Sequence, residues 1–218
     1  MEKFLKSTSE RSYKFTRNWF DPHIPKWEET LGVLKTTDKI NVLEVGVFEG
    51  KSTVWILDEL FQNPESKLIA IDAFENTFEN ILPTNDNEAT FRDNIKKSEK
   101  ESRVEIIKSN YFDALNKLNY EKRIKFDFIH VDGSHRACDV LANTVLSWNL
   151  LKKDGIMILD DYEWDYFDEP YNNPRIAIDS FLNSYESQIK IIYKRFQVAV
   201  KKVVKETTSI PREDKTIN

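Results

Sequence analysis

The sequence predicts an α/β protein with a mostly parallel sheet that helices cover on both faces. From Ile40 onward, short apolar runs alternate with longer stretches of helical periodicity, which is typical of such a sheet. Each apolar run is rich in Val, Ile, Leu or Phe, as expected for strands that are buried on both faces. The last two runs follow each other with no room for a helix between them, so we expect them to pair antiparallel.

The predicted strands are the seven apolar runs, at residues 40–46, 67–72, 103–109, 126–132, 155–160, 188–194 and 196–204. The predicted helices cover residues 51–62, 86–99, 111–119, 135–152 and 175–186. The helix at 135–152 has the clearest pattern, because its apolar residues fall on one stripe and Gly155 follows its end. The stripe consists of Ala137, Leu141, Val145 and Trp148.

The chain divides into three predicted parts: a mostly helical N-terminal extension at residues 1–38, a main domain at 39–204 and a flexible tail at 205–218. The extension carries Trp19, Phe20 and Trp27, which suit a substrate cap or a dimer contact. Within the main domain, the connection at residues 74–90 is long, and this length favours a functional loop or a lid.

The composition narrows the class of partner. A formal charge of −5 and an isoelectric point near 5.4 argue against a nucleic acid or an anionic membrane, so a small polar ligand is expected. Cys138 is the single cysteine, which excludes an internal disulfide and favours a reducing cytoplasm. No apolar run approaches the ~18 residues of a membrane span, and the first residues lack the apolar stretch of a signal peptide. We therefore expect a soluble, cytoplasmic protein.

The turn after the first strand has the composition of a ligand site. Gly46 and Gly50 precede a helix, where backbone N–H groups can meet a ligand, although the pair is also compatible with a tight turn alone. The string G-V-F-E-G-K-S is one residue short of a Walker A loop, and Glu44 and Glu49 would repel a polyphosphate. An acidic turn suits a cationic or hydroxyl-rich ligand better, and Asp72, which ends the second strand, could accept hydrogen bonds from ribose hydroxyls.

Acidic residues also end two later strands. Asp132 ends the fourth strand, and Asp160 and Asp161 end the fifth. Adjacent parallel strands lie ~4.8 Å apart, so these carboxylates can converge, and they repel one another unless a proton or a cation lies among them. Oxygen ligands suit a hard cation such as Mg²⁺ or Ca²⁺. The alternative is that these acids only cap or turn the chain, as Gly133 and Ser134 do in a turn followed by a helix N-cap.

Three other candidate side chains are given structural interpretations. His130 lies within a strand and is interpreted as packed core, whereas His23 is interpreted as a surface residue. Cys138, beside an apolar helix face, is interpreted as a small core residue.

These features together resemble a known family. E-V-G-V-F-E-G at 44–50, Asp72, D-G-S-H at 132–135 and D-D at 160–161 are similar to the motifs of class I S-adenosylmethionine-dependent methyltransferases. More narrowly, they resemble the small-molecule O-methyltransferases grouped with macrocin O-methyltransferase and the cephalosporin-hydroxylase-like proteins, over roughly residues 38–202. The resemblance implies a Rossmann-like sheet of seven strands whose last strand runs antiparallel, which agrees with the predicted hairpin.

The resemblance also implies roles for individual residues. The cofactor-binding residues that it implies are Glu44, Gly46, Phe48, Glu49, Gly50, Ser52, Asp72, Phe74, Asn110 and Asp132. It implies that Asp132, Asp160 and Asp161 hold a divalent cation, with Mg²⁺ as the expected ion. It further implies that His135 is the general base and acts with Asp132 as the catalytic pair. Relatives often have Glu-Asp where this chain has Asp-Asp, which shortens one of the ligands.

The predicted function is methyl transfer from S-adenosylmethionine to a hydroxyl group of a small molecule, with a sugar as the preferred acceptor. The aromatic loop at residues 162–174 suits stacking on a sugar ring or an oligomer contact, so a homo-oligomer stays open. A catechol-type phenol is the nearest alternative acceptor. Two other classes also stay open: a P-loop-like kinase or NTPase that uses Lys51 and Ser52 on a phosphate, and a non-catalytic binding subunit.

Overall fold

The computed structural model of the protein describes residues 12–75, 86–122 and 124–203. Within these residues, the strands form a seven-stranded sheet of the order β3-β2-β1-β4-β5-β7-β6. The strands are β1 (Asn41–Val45), β2 (Lys67–Asp72), β3 (Val104–Lys108), β4 (Phe126–Val131), β5 (Leu151–Leu159), β6 (Ile189–Lys194) and β7 (Val198–Lys202). Neighbouring strands are parallel except that β7 is antiparallel to both β5 and β6. The predicted Rossmann-like fold is confirmed.

The helices cover both faces of the sheet. They are α1 (Ile24–Leu31), α2 (Lys51–Glu59), α3 (Asn87–Lys97), α4 (Tyr111–Glu121), α5 (Ala137–Leu150) and α6 (Pro174–Ser184). One core cluster joins the sheet to α1, α2 and α3, and a second joins it to α4, α5 and α6. Alternate residues of a strand enter opposite clusters, as Val42 and Leu43 of β1 do.

Part of the predicted N-terminal extension packs directly on the first face. A 3-10 turn at Asp21–His23 leads into α1, and a second one at Gly32–Thr36 follows it. Trp27 and Phe20 belong to the core cluster, whereas Trp19 is 57% exposed. The use of this segment as a substrate cap or a dimer contact stays a prediction.

The boundary between α5 and β5 differs from the prediction. Helix α5 ends at Leu150 and β5 begins at Leu151, so the predicted helix end at 152 and the predicted strand start at 155 are wrong. Both leucines are buried, and Leu151 pairs with Phe126 ahead of an irregularity in the register of β4 and β5. Core packing therefore begins the strand at Leu151 and carries it across Lys152 and Lys153, ahead of Gly155, which is predicted to follow the helix end.

The buried face of α5 also differs in part. Trp148 is buried, but the other three residues of the predicted stripe are only half-buried. The helix turns small polar residues toward the protein instead, namely Asn143, Thr144 and Ser147. Cys138 is exposed, so its interpretation as a core residue is wrong, because it lies beside the half-buried stripe rather than on it.

Two predicted features fall outside the part of the chain that the structure describes. These are most of the predicted lid, at residues 76–85, and the predicted tail at 205–218. Among the described residues, no helix has both the length and the apolar character needed to cross a membrane.

Candidate active site

The acids predicted at strand ends lie at one edge of the sheet. The hydrogen bonds of the sheet continue past the strands, from Asp132 N to Val45 O at 2.7 Å and from Asp160 N to Val131 O at 3.0 Å. The ends of β1, β4 and β5 are therefore in step. This places Asp132 between the turn after β1 and Asp160, at the edge where α/β proteins bind ligands.

Gly46 is required by the packing between two of these strand ends. Its φ of +84° lies in the left-handed region, and a Cβ there would stand 2.0 Å from the backbone oxygen of Asp132. Gly133 lies under the ring of Tyr111, and a Cβ at Gly133 would stand 2.8 Å from that ring. The two glycines thus allow the turn after β1, the loop after β4 and Tyr111 to pack directly on one another.

Three residues other than glycine adopt a left-handed backbone conformation at this strand-end edge of the sheet. They are Phe48 with φ of 48°, Phe74 with φ of 52° and Asp161 with φ of 62°. Such conformations cost free energy, and they cluster at functional sites. Phe48 packs on Trp19 with ring centroids 5.3 Å apart, and Phe74 packs on Phe91 at 5.6 Å, so ring contacts hold both strained residues.

Glu44, a predicted cofactor residue, is fully buried and has internal partners. It accepts hydrogen bonds from Ser52 Oγ at 2.5 Å and from Thr53 Oγ1 at 2.6 Å. Its Oε1 also lies 3.3 Å from Nδ1 of His130. Ser52 is itself a predicted cofactor residue, so the structure joins two members of that set to each other and fixes the start of α2 to β1.

Glu49 and Lys51 tie the N-terminal segment to the turn after β1. The carboxylate of Glu49 accepts from the backbone N of Thr16 at 2.6 Å and from its Oγ1 at 2.8 Å. Lys51 forms an ion pair with Asp21 at 2.6 Å. The lysine that a phosphate-binding loop would use is therefore neutralised by an acid, which argues against the kinase or NTPase alternative.

Asp72 holds the backbone of two turns. Its Oδ2 accepts from the N–H groups of Val47 at 2.8 Å and Phe48 at 3.2 Å, and its Oδ1 accepts from Phe74 N at 2.7 Å. Both carboxylate oxygens of Asp72, the predicted ribose-binding acid, therefore fix the backbone of the turns that surround the site. Phe74, another predicted cofactor residue, is fixed beside Asp72 by its own backbone.

Tyr111 is a site residue that the sequence patterns do not indicate. It begins α4 directly after Asn110, which is exposed and caps the helix by accepting from Asp113 N at 2.9 Å. Burial, and then the charges of Asp72 and Asp132, raise the pKa of the Tyr111 phenol. Tyr111 therefore lies near both the predicted ribose acid and the predicted metal ligand. The one sequence feature that could have pointed to Tyr111 is its position, as an aromatic residue at the first position of the helix that follows β3.

A candidate cation site lies at the ends of β4 and β5. His130, Asp132 and Asp160 each offer a ligand atom, and these atoms lie within 4.8 Å of one another. Asp132 has surface that is exposed to solvent, but many protein atoms surround its carboxylate. This burial, and then the charges of Asp160 and Asp161, raise the pKa of Asp132 well above its usual range. A bound cation would relieve this crowding of negative charge.

His130 is buried, which agrees with its interpretation as a core residue, but its ring also connects the carboxylates of Glu44 and Asp160. Its Nδ1 faces Glu44 Oε1 at 3.3 Å, and its Nε2 faces Asp160 Oδ2 at 3.4 Å. Burial alone lowers the pKa of His130, but the hydrogen bonds with Asp160 and Glu44 outweigh it and raise the pKa to about 10. At neutral pH the ring is therefore an imidazolium between two carboxylates.

The acidic pair divides between two partners. Asp160 accepts from Gln197 Nε2 at 2.6 Å, and although burial opposes it, the hydrogen bond with His130 lowers the pKa of Asp160. Asp161 Oδ2 lies 3.2 Å from Nε2 of His135. Burial raises the pKa of Asp161 despite this hydrogen bond. The structure thus places Asp161 against the predicted base, whereas Asp160 joins the converging ligand atoms.

The aromatic loop after β5 covers the predicted base. The ring of His135 stacks on Trp164, with centroids 4.7 Å apart and an interplanar angle of 28°. Trp164 packs in turn on Tyr166 and Phe167, each at 5.4 Å, and its backbone N donates to Asp161 O at 3.0 Å. His135, Asp161 and the aromatic loop therefore form one packed unit.

Two interpretations made from the sequence need correction here. Ser134 is not the N-cap of α5, since Arg136 occupies that position and Ser134 Oγ accepts from Arg136 N at 3.3 Å. The loop continues two residues further than the turn pattern suggests. His23 is half-buried rather than fully at the surface, and it stacks on Phe196 with centroids 5.6 Å apart.

Solved structures of other proteins share this fold. The O-methyltransferase from Bacillus cereus, in complex with SAH, has a TM-score of 0.64 and 17% identity, covering 92% of this chain and 90% of that one. The O-methyltransferase TomG from Streptomyces achromogenes, involved in tomaymycin synthesis and in complex with SAM, has a TM-score of 0.63 and 15% identity, with 83% and 80% covered. The MycE methyltransferase from the mycinamycin biosynthetic pathway, in complex with Mg, SAH and mycinamycin VI, has a TM-score of 0.63 and 15% identity. This chain is covered to 94% in that comparison but spans only 56% of MycE.

Sequence comparison identifies the family. No curated protein sequence matches the chain. A family model described as "Methyltransferase domain" matches residues 43–162, which is more than half of the chain and runs from β1 to the start of the aromatic loop. Together with the shared fold, this match confirms the predicted class I S-adenosylmethionine-dependent methyltransferase. The chain belongs to the methyltransferase-domain family.

Proposed function

We propose that the protein transfers a methyl group from S-adenosylmethionine to a hydroxyl group of a small molecule, with a sugar as the acceptor. The observation that carries this proposal is the contact of His135 with Asp161 at 3.2 Å, next to the converging ligand atoms of Asp132 and Asp160. The proposed base and the candidate cation site thus share the strand-end edge of a methyltransferase fold.

The donor would bind along the turn after β1. When bound, S-adenosylmethionine supplies a methyl group on a positively charged sulfur. The turn fits this group, because nearby carboxylates favour a cation over a polyphosphate. We assign Glu44 and Glu49 to shaping the turn, since both carboxylates are bound by protein hydroxyl or N–H groups. Asp72 and Tyr111 would line the donor site on the side of β2 and α4.

The ends of β4 and β5 fit a divalent cation. Asp132 and Asp160 offer the oxygen ligands that hard cations such as Mg²⁺ prefer. Both ring nitrogens of His130 already face carboxylate oxygens, so we assign His130 to orienting those oxygens rather than to binding the ion. Asp161 was predicted as a third ligand, and its contact with His135 suits it to orienting the base. A bound cation lowers the pKa of a hydroxyl group that it contacts.

His135 is proposed as the general base. An imidazole that donates Nε2–H to Asp161 carries its basic lone pair on Nδ1. The carboxylate would orient the ring and stabilise the positive charge that the ring gains with a proton. Trp164, stacked on a face of the imidazole, would restrict the rotation of the ring. His135 would thus accept the proton of the acceptor hydroxyl on Nδ1.

Aromatic side chains near the base support a sugar as the acceptor. Tyr166 and Tyr171 are 63% and 65% exposed and follow Trp164 in the loop after β5. Exposed aromatic faces offer apolar stacking surfaces with a polar edge, which suits a sugar ring. A sugar with two neighbouring hydroxyls also presents two oxygens to a cation, as a catechol does.

The N-terminal segment is proposed as a substrate cap. Trp19 is exposed and rests on Phe48 of the turn after β1, at 5.3 Å. His23 rests on Phe196, whose backbone oxygen accepts from Tyr162 N at 2.7 Å at the start of the aromatic loop. The segment therefore runs from the donor side of the proposed site toward the acceptor side.

Calorimetric titration of S-adenosylmethionine, followed by methyl-transfer assays with nucleotide sugars and catechols, tests the proposal. We expect donor binding, transfer to a sugar hydroxyl, and loss of transfer after chelation that Mg²⁺ restores. Failure to bind the donor would contradict the proposal as a whole. Transfer that persists after exhaustive chelation would contradict the cation, and transfer to catechols alone would contradict the sugar.

A further inference from the structure

The carboxylate of Asp160 is held from behind by two buried side chains. Gln197 Nε2 donates to Asp160 Oδ2 at 2.6 Å, and His130 Nε2 lies 3.4 Å from the same oxygen. Gln197 and His130 are 2% and 1% exposed, so neither contact competes with bulk water. Asp160 Oδ1 accepts from the backbone N of Asp161 at 2.9 Å. The orientation of this carboxylate is therefore fixed by donors on both oxygens.

Trp27 of α1 contacts both of the side chains behind Asp160. Its Nε1 donates to Gln197 Oε1 at 2.9 Å, and its ring meets the ring of His130 edge-on, with centroids 4.8 Å apart and an interplanar angle of 85°. Trp27 has no exposed surface. A residue of the N-terminal segment thus reaches the interior side of the candidate cation site.

The hydrogen-bonding groups around Gln197 determine which end of its amide faces Asp160. An indole N–H can only donate, so Gln197 must turn its carbonyl oxygen toward Trp27. Its NH₂ group then faces Asp160, where it donates to the carboxylate. Tyr193 Oη also donates to Gln197 Oε1, at 3.4 Å, and the carboxylate of Asp160 can only accept, so all three neighbours favour the same amide orientation. Trp27 makes the shorter of the two hydrogen bonds to the Gln197 oxygen, and it therefore helps to hold the amide where its NH₂ group meets Asp160.

We propose that Trp27 and Gln197 are positioning residues that set the divalent-cation affinity of the site through Asp160. This inference rests on the proposed cation site. Partners of metal ligands hold the ligand geometry, and their loss costs roughly 10- to 100-fold in metal affinity. Gln197→Met removes the donor to Asp160 and should weaken cation binding by that factor. Trp27→Phe removes one neutral hydrogen bond further away and should weaken it by about 2- to 10-fold.

Trp148→Phe is the matched control. Trp148 is also a buried tryptophan on a helix, but it packs in the second core cluster, against Phe181 and Tyr185. Its indole nitrogen has no hydrogen-bond partner within the described residues. The control therefore removes the same ring from the core without touching the contacts of Asp160.

The experiment titrates Mn²⁺ and, separately, SAH into the full-length wild type and the three variants by calorimetry. We expect weaker Mn²⁺ binding by Trp27→Phe and Gln197→Met, unchanged Mn²⁺ binding by Trp148→Phe, and unchanged SAH affinity throughout. Wild-type Mn²⁺ affinity in Trp27→Phe, or an equal loss in Trp148→Phe, would overturn the positioning role and leave the proposed cation site intact. A wild type that binds SAH but no Mn²⁺ would overturn the cation site and this inference together.

Discussion

Replacement of Gly46 by alanine should push Asp132 out of place. The added Cβ would stand 2.0 Å from the backbone oxygen of Asp132 and 2.6 Å from Cα of Gly133, both of them main-chain atoms that cannot rotate away. A carbon and a carbonyl oxygen need about 3.3 Å, so the loop after β4 must retreat by roughly 1.3 Å. Because Asp132 belongs to the candidate cation site, the same shift should reach the chemistry.

The expected cost has two parts. A left-handed conformation costs alanine about 1–2 kcal/mol, and an extra carbon in tightly packed surroundings costs about 1–3 kcal/mol. Gly46→Ala should therefore lower the free energy of unfolding by about 2–5 kcal/mol. A misplacement of about 1 Å can cost on the order of 100-fold in rate, so methyl transfer should fall steeply even in the folded fraction.

Two other glycines serve as controls in urea unfolding and Mn²⁺ titration. Gly50 has a similar φ of +83°, but its added Cβ would meet the side chain of Phe91 rather than Asp132. Gly32 has φ of −54° and nothing within 4 Å, so alanine there should stabilise by about 0.4–1 kcal/mol. We expect both Gly46→Ala and Gly50→Ala to destabilise, but Gly46→Ala alone to weaken Mn²⁺ binding. Equal Mn²⁺ affinity in the two variants would refute the argument.

Three further substitutions test the charges of the site. Asp132→Asn should raise the melting temperature of the metal-free protein at neutral pH, because an acid whose pKa is raised in the folded state destabilises the protein once the pH exceeds that pKa. Thermal unfolding of both proteins between about pH 4 and 8 measures this, and the same dependence of melting temperature on pH in both would contradict it. His135→Gln should lower turnover roughly 10²- to 10⁴-fold, and a parallel loss of SAH affinity would point to a binding role instead. Glu44→Gln should lower the free energy of unfolding in urea by about 3–5 kcal/mol, because it breaks a buried ion pair with His130. A decrease of less than about 1 kcal/mol would show that the ion pair is dispensable.

The seven strands and the placement of the acids at strand ends were predictable from the sequence because they depend on local patterns, whereas the order of the strands in the sheet was not predicted. Apolar runs of the right length predicted all seven strands, and the polar residues after them were bound to meet at one edge, as Asp132 and Asp160 do. Boundaries were less predictable where burial overrode local signals, as at Leu150 and Leu151.

The partners of the acids were not predictable, since they come from distant parts of the chain. Gln197 and Trp27 are 170 residues apart in sequence, and neither belongs to a motif. His130 is interpreted from the sequence as a core residue. Its position in a strand does not reveal that carboxylates of the neighbouring strands contact its ring. Glu49 is predicted as a cofactor-binding residue, and its hydrogen bonds with Thr16 of the N-terminal segment could not be predicted from any motif.

The site concentrates negative charge and then surrounds it with contacts that keep the charges in place. Burial and mutual repulsion raise the pKa of Asp132, whereas the imidazolium of His130 stabilises the charge of Asp160 nearby. Ionisation of Asp132 is therefore unfavourable, whereas Asp160 beside it is held in its ionised form. A cation bound between them would stabilise both negative charges. The side chain that braces this arrangement from behind is Trp27, which belongs to the N-terminal segment proposed as the cap. Because Trp27 is fixed in the core, the packing of this segment and the geometry of the Asp160 carboxylate are linked through direct contacts, so a core substitution at Trp27 should change cation binding.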